Sequence, residues 1–197
     1  MTLDLRLDPF AMAAAFSVTL LGLVVVFLVI TTYNDVIALI LRIDKAWANI
    51  DVALRQRHDE LPNLVAAVRD VMAFEQDVLE EVARRRAAYS PEAPIPEQAA
   101  TSEATSSAIR QLFAVVERYP ELHSHRNVLD LQAEIARLEE LIADRRELYN
   151  DSVYRYNTRI SQMPGLLVAG LFRWSPRPFF TADPADLARP DTELRPA

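Results

Sequence analysis

Three clusters of side chains in this sequence carry groups capable of chemistry. His58-Asp59-Glu60 sets an imidazole beside two carboxylates. Glu121, His123 and His125 fall within one short stretch, and five hydroxyls follow one another at Thr101, Ser102, Thr105, Ser106 and Ser107. The first two clusters hold the imidazole and carboxylate donors that a transition metal takes, and the third offers alcohol nucleophiles. The spacing argues against each use. Consecutive residues of a helix face different directions, so residues 58–60 converge only if another element joins them, and they read as a polar cap on a turn. His123-x-His125 has neither a cysteine nor an HExxH partner, which makes these two solvated histidines. The hydroxyls fall where a helix starts, a position in which they serve as caps.

The glycine count closes further routes. Only Gly22, Gly165 and Gly170 occur, so neither a nucleophile elbow nor a phosphate-cradling loop can be built. A di-metal site inside a helical bundle needs paired Glu-x-x-His spacings, and the sequence has none. The sequence therefore predicts no catalytic residue, no metal, no cofactor and no small-molecule substrate. An enzyme with an unrecognised site in a bundle core is the remote alternative.

Two further groupings point to contacts rather than reactions. Tyr149-Asn150 and Tyr156-Asn157 repeat at seven residues, so both pairs share one helix face. They serve either as seam-filling rings whose hydroxyls bond across the seam, or as a partner-binding ridge. Residues 166–180 read LLVAGLFRWSPRPFF, with Phe172, Arg173, Trp174, Arg177, Phe179 and Phe180 interleaving aromatic and basic groups. Such a segment packs on the end of a bundle or lies at a membrane interface. Pro176 and Pro178 prevent one continuous amphipathic helix there.

The elements that position these groups begin with an uncharged run over 9–34, PFAMAAAFSVTLLGLVVVFLVITTYN. As a helix it spans about 39 Å, enough to cross a ~30 Å hydrocarbon core with some tilt. A cleaved signal peptide would show a shorter apolar region, a basic start and an Ala-x-Ala exit. Here Arg6 sits between Asp4 and Asp8, and no such exit follows, so an uncleaved single-pass anchor is expected. Gly22 has no partner at four residues on either side, so no GxxxG dimer face is present. Arg42 and Lys45 outnumber Arg6 around the span, which favours a soluble domain on the cytoplasmic side of the inner (plasma) membrane. The lack of cysteine fits a reducing compartment as well as an oxidising one without disulfides. The net charge of −7 argues against a nucleic-acid ligand.

Past the span, helical patterns dominate. Val36, Ile40, Ile43, Trp47, Ile50 and Leu54 form a heptad seam in phase with Tyr33, predicting one unbroken helix that stops near Asp59 ahead of Pro62. A second helix is predicted over 62–89, with Leu64, Val65, Val68, Met72, Glu75, Leu79, Val82 and Arg86 along its stripe. Residues 90–98, with three prolines, read as a loop. A third helix follows over 100–118, carrying Ala108, Ile109, Leu112, Phe113, Val115 and Val116. A fourth starts near Asn127 and ends at Pro164-Gly165, with Val128, Leu131, Ile135, Leu138, Ile142, Tyr149, Tyr156 and Met163 on one seam interrupted by Arg145 and Ser152. Cross-helix ion pairs are open to Arg145, Arg146 and Arg155 with Glu75, Glu80 and Glu81. The fold class is all-α: an N-terminal transmembrane helix continuing into an elongated antiparallel four-helix bundle. The organisation is a short tail over 1–8, the anchor over 9–34, the bundle over 35–165, the aromatic segment over 166–180 and a disordered acidic, Pro-rich tail over 181–197.

These residues resemble the LemA family of bacterial membrane-anchored proteins. The matching blocks are Tyr33-Asn34 after the span, Trp47-x-x-Ile50-Asp51-Val52, RQRHDELPNLVAAV over 55–68, ERYPEL over 117–122 and YNDSVYRYNTRISQMPG over 149–165. Together they cover residues 33–180. Leu61 stands where the family usually has Ile or Val, and Met163 where it has Phe. The resemblance implies an elongated helical bundle on a membrane anchor, with no established enzymatic activity or cofactor. Some relatives are linked with envelope processes, membrane-organelle formation or membrane proteases. The expected role is a non-enzymatic scaffold or adaptor that engages membrane lipid through one helix and unknown protein partners through its bundle. A bundle on the envelope side of the membrane is the alternative.

Overall fold

The uncharged run and the heptad seam that follows it fold as one helix, α1 (Pro9–Val68). The computed structural model describes residues 9–69, 72 and 75–181, and the backbone alone of His123 and Ser124. After α1 come α2 (Gln76–Ala87), α3 (Ile95–Val116), a 3-10 turn (Pro120–Ser124), α4 (Arg126–Ser161) and α5 (Gly165–Phe172), with no strand among the described residues. The predicted tails over 1–8 and 182–197 lie outside the described residues. The chain forms two compact units, one of residues up to 41 with 155–176, the other of 42–154 with the segment from 177 onward.

In the first unit no residue of α1 from Phe10 to Leu28 is covered by protein. Its few polar side chains bond back along the helix: Ser17 Oγ donates to the Ala13 carbonyl and Thr19 Oγ1 to the Ala15 carbonyl, both at 2.9 Å. A helix that is apolar on all sides, uncovered and internally satisfied is the form a chain takes in lipid. Cover begins at Val29, and Thr32 and Val36 are buried. There the end of α4 meets α1, with Arg159 Nη2 2.8 Å from Asp35 Oδ2.

The second unit is an antiparallel bundle, and side-chain contacts give its directions. Arg86 of α2 and Tyr89 just after it meet His58 and Asp51. Arg118 at the far end of α3 meets Glu75, and Arg145 of α4 meets Asn49. The core joins Leu61, Leu64 and Val68 of α1 to Leu79 and Val82 of α2, Ile109 and Leu112 of α3, and Val128 and Ile135 of α4. Each such side chain contributes about 1.5–3 kcal/mol on full burial.

Four predicted boundaries need correction. Pro62 lies inside α1, which runs on to Val68. A proline there leaves the carbonyl of residue 58 without its helical donor, and Arg86 Nε supplies one at 3.0 Å. The reversal falls between the end of α1 at Val68 and the start of α2 at Gln76 instead, and there Met72 is fully buried and its amide donates to the Val68 carbonyl at 2.9 Å. α3 begins at Ile95, not 100: Pro94 and Pro96 occupy positions at the helix start whose amides a helix does not use. The preceding loop is held by buried Gln98, whose Nε2 donates to the carbonyls of Pro91 and Ala93. Finally, α4 stops at Ser161, and Met163, placed on its seam by spacing, is exposed.

The Pro62–Arg86 pairing is open to a double-mutant cycle. Arg86→Met is expected to cost about 1–3 kcal/mol by stranding the His58 carbonyl. In a Pro62→Ala background, where an amide is restored at position 62, the same change should cost under about 1 kcal/mol. Denaturant midpoints of the full chain in detergent check both.

Candidate functional site

The seam of α1 continues past Leu54 to Arg57, which takes the next inward position and is only 4 % exposed. Its guanidinium binds two other helices. Nη1 donates to Glu139 Oε1 of α4 at 2.7 Å and to Ser106 Oγ of α3 at 2.9 Å, and Nη2 donates to Ser102 Oγ at 3.0 Å. The hydroxyl cluster is thus placed differently from its expected capping role. Ser102 and Ser106 lie inside α3 and face the bundle, Thr105 Oγ1 bonds the Thr101 carbonyl at 2.8 Å, and no side chain caps the helix start. A buried guanidinium needs such a partner set to offset its lost hydration. An open cavity of about 240 Å³ lies beside this pair, bounded by Glu103, Arg110, Arg146 and Phe180 among others. Its two arginines share the carboxylate of Glu103, at 3.1 Å from Arg110 and 3.8 Å from Arg146.

The Tyr-Asn repeat lies on α4 and faces the segment that follows α5. Within the second unit Tyr149 is fully buried, its hydroxyl donates to the Pro178 carbonyl at 2.9 Å, and its ring lies 5.8 Å from that of Trp47. Asn150 bonds the Phe180 backbone in both directions: Nδ2 donates to the carbonyl at 3.2 Å and Oδ1 accepts from the amide at 2.8 Å. Within the first unit the buried Tyr156 donates to the Ser175 carbonyl at 3.0 Å, and Asn157 is half-buried. These side chains clasp an extended strap. Burial pushes the Tyr149 hydroxyl up to about 12, with nearby Arg177 opposing and Asp44 adding to the rise.

The aromatic segment divides between the units. Phe172 and Trp174 pack on Tyr33 of the first unit, with ring centroids 4.8 and 5.6 Å away. Arg173 between them is exposed and ends α5 in a left-handed conformation. In the second unit Phe180 is buried against Trp47 and Phe179 is half-buried, while Arg177 is exposed.

The candidate metal groups stay apart. Half-buried His58 lies against Tyr89, the ring centroids 5.3 Å apart and the planes tilted by 42°, Asp59 is exposed, and Glu60 accepts from Asn63. Burial first, and the Arg86 charge second, hold the His58 imidazole below its ordinary pKa. His125 is exposed, and the His123 side chain lies outside the described residues. No group of three metal-binding side chains occurs among the described residues. The ion pairs open to Arg145 and Arg146 are replaced by others: Glu75 pairs with Arg118, Glu81 with Arg84 and Arg85, and Arg145 donates to the Asn49 carbonyl.

The LemA family model matches residues 46–193, about three quarters of the chain. The chain belongs to the LemA family. It is also 32 % identical over 79 residues to Magnetosome protein MamQ 2 and Magnetosome protein MamQ 1 of Paramagnetospirillum magneticum (strain ATCC 700264 / AMB-1). That stretch is 40 % of this chain and 29 % of each relative, so the chain spans under a third of their length. Neither the family description nor the relatives' names denote an enzyme. With its apolar helix and bundle, this LemA-family chain is a membrane-associated helical protein. The sequence reading missed the roles of Arg57 and Arg86. A signal for the first was available, since position 57 continues the steps of three and four through 50, 54, 61 and 64.

Two measurements on the full chain in detergent follow. Arg57→Ala is expected to cost about 2–4 kcal/mol, because it strands Glu139 and two serines. Glu139→Gln keeps an acceptor and should cost under about half as much. In the second, Tyr149→Phe is less stable than the parent at pH 8 by about 1 kcal/mol. Tyr149 is protonated in both states below the unfolded value near 10, so it adds no pH slope there. Between about pH 10 and 12 only the folded state keeps the proton, and the parent loses about 1.4 kcal/mol per pH unit that the variant does not. The stability order should therefore reverse near pH 11 in denaturation at graded pH.

Proposed function

We propose that this protein is a non-enzymatic scaffold or adaptor that presents a rigid helical bundle to protein partners at the cytoplasmic face of the inner membrane. One observation carries the reading: Arg57, Tyr149 and Asn150 are committed to holding helices and strap together. Arg57 is matched by Glu139, Ser102 and Ser106, Tyr149 by Pro178, and Asn150 by Phe180. A group fixed by several strong hydrogen bonds is poorly placed to transfer protons or attack a substrate.

Partner contact falls to exposed side chains. Tyr149 and Asn150 face the strap, so the ridge they would offer is not presented outward. The outer side of α4 carries Leu148 and Tyr154, 59 % and 62 % exposed, among charged neighbours. Exposed aromatic and aliphatic groups within a polar surround are the composition of a binding patch. Arg42 and Lys45 after the span, against Arg6 before it, support the cytoplasmic side.

Proximity labelling in cells, with the label fused after Ala197, tests this. Cytoplasmic and inner-membrane neighbours are expected, and Leu148→Asp with Tyr154→Asp should remove specific ones without changing thermal stability. Labelling of envelope proteins alone would instead support the bundle on the outer side. A neighbour set unchanged by the double variant would rule out the outer side of α4.

A further inference from the structure

The first unit holds an apolar face that its own residues leave open. α5 with its approach reads Met163-Pro-Gly-Leu-Leu-Val-Ala-Gly-Leu-Phe172 and contains no charged or hydrogen-bonding side chain. Gly165, Val168 and Ala169 are buried. Met163, Leu166, Leu167 and Leu171 point away, 65 %, 53 %, 65 % and 69 % exposed. Gly165 makes the arrangement possible, since a Cβ there would collide with the Arg159 carbonyl at the end of α4.

Its position within the unit identifies what meets that face. The apolar run of α1 is about 9 Å longer than a hydrocarbon core requires, and protein cover on α1 starts only at Val29. The C-terminal end of α5 lies at that boundary, where the rings of Phe172 and Trp174 pack on Tyr33 at the close of the uncharged run. Asp35, the first charge after the run, is already paired with Arg159. An aromatic cluster with exposed Arg173 beside it is the composition of the water-lipid boundary. We propose that α5 is a second membrane contact: its Leu166, Leu167 and Leu171 face enters the acyl-headgroup boundary of the bilayer that α1 crosses, and Arg173 lies at headgroup level. The anchor is then one spanning helix braced by one interfacial helix, which fixes how α1 and the end of α4 meet the lipid surface.

The chain has no cysteine, so single spin labels can be placed on the full-length protein in nanodiscs. Labels at Leu167→Cys and Leu171→Cys are read for access to oxygen, which concentrates in lipid, and to a water-soluble nickel chelate. Val24→Cys in the span and Gln56→Cys on an exposed bundle position serve as references. Lipid-like access at both α5 sites, with oxygen favoured over nickel by roughly tenfold relative to Gln56→Cys, is the expected result. Water-like access at 167 and 171 with a lipid-like Val24→Cys would overturn the proposal and leave the spanning reading of α1 intact. Exclusion of both reagents would overturn it in favour of a protein covering the face. A water-like Val24→Cys would instead defeat the spanning reading itself.

Discussion

The second unit depends on one buried charge. Arg57 occupies a seam position where leucine or isoleucine would pack, and its guanidinium is bonded to three side chains on two other helices. Seams of Leu and Ile keep much of their contact energy when one helix slides by a heptad. A guanidinium with placed acceptors does not, because sliding leaves it and Glu139 desolvated and unpaired. The arginine therefore gains little net stability over an apolar residue, while penalising every other alignment of α1, α3 and α4. Arg86 and Tyr89 extend the same logic to the returning helix, through the His58 carbonyl and Asp51.

With α4 held in register by Glu139, the residues ten and eleven positions later meet the strap. Tyr149 and Asn150 treat it as a neighbouring strand would, matching backbone carbonyl and amide in place of a ladder. Extended backbone carrying Pro176 and Pro178 cannot satisfy itself. It is ordered because a helix surface supplies the donors and acceptors.

The sequence was most legible where one element decides its own fate. The apolar run of α1 needs no partner to be helical, and the seams through Ile43, Ile50, Ile109, Leu112, Ile135 and Leu138 are buried as their spacing requires. It was least legible where a local rule is overridden at a distance. Pro62 ordinarily ends a helix, and the group that relieves it, Arg86, lies twenty-four residues away with no motif linking the two. The reversal at 69–75 has no glycine or proline to announce it. Ser102 and Ser106 read as helix-start hydroxyls because the helix actually begins at Pro94 and Ile95, two prolines being compatible with a first turn. Arg57 was legible as a seam position, yet its charge suggested the surface. α5 was the opposite case: an apolar octet too short to declare helix or strand from periodicity.

The misreading of the polar groups and the open reading of α5 have a common physical origin, and it bears on function. Polar residues were read as surface or as potential chemistry, whereas in the bundle Arg57, Ser102, Ser106 and Arg86 are internal fasteners. For the residues after Gly165 the sequence left bundle-end packing and a membrane interface both open, and on α5 Leu166, Leu167 and Leu171 are exposed. Burial in a protein selects polar groups by whether they can be satisfied, and exposure to a medium selects apolar groups by what that medium is. Bonded polar groups inside the bundle and bare leucines on α5 therefore make different demands on what surrounds each unit. The uncovered run of α1 from Phe10 to Leu28 is long and apolar enough to cross a bilayer. On the proposed reading, specificity lies on the outside of the helices, where lipid or protein is met.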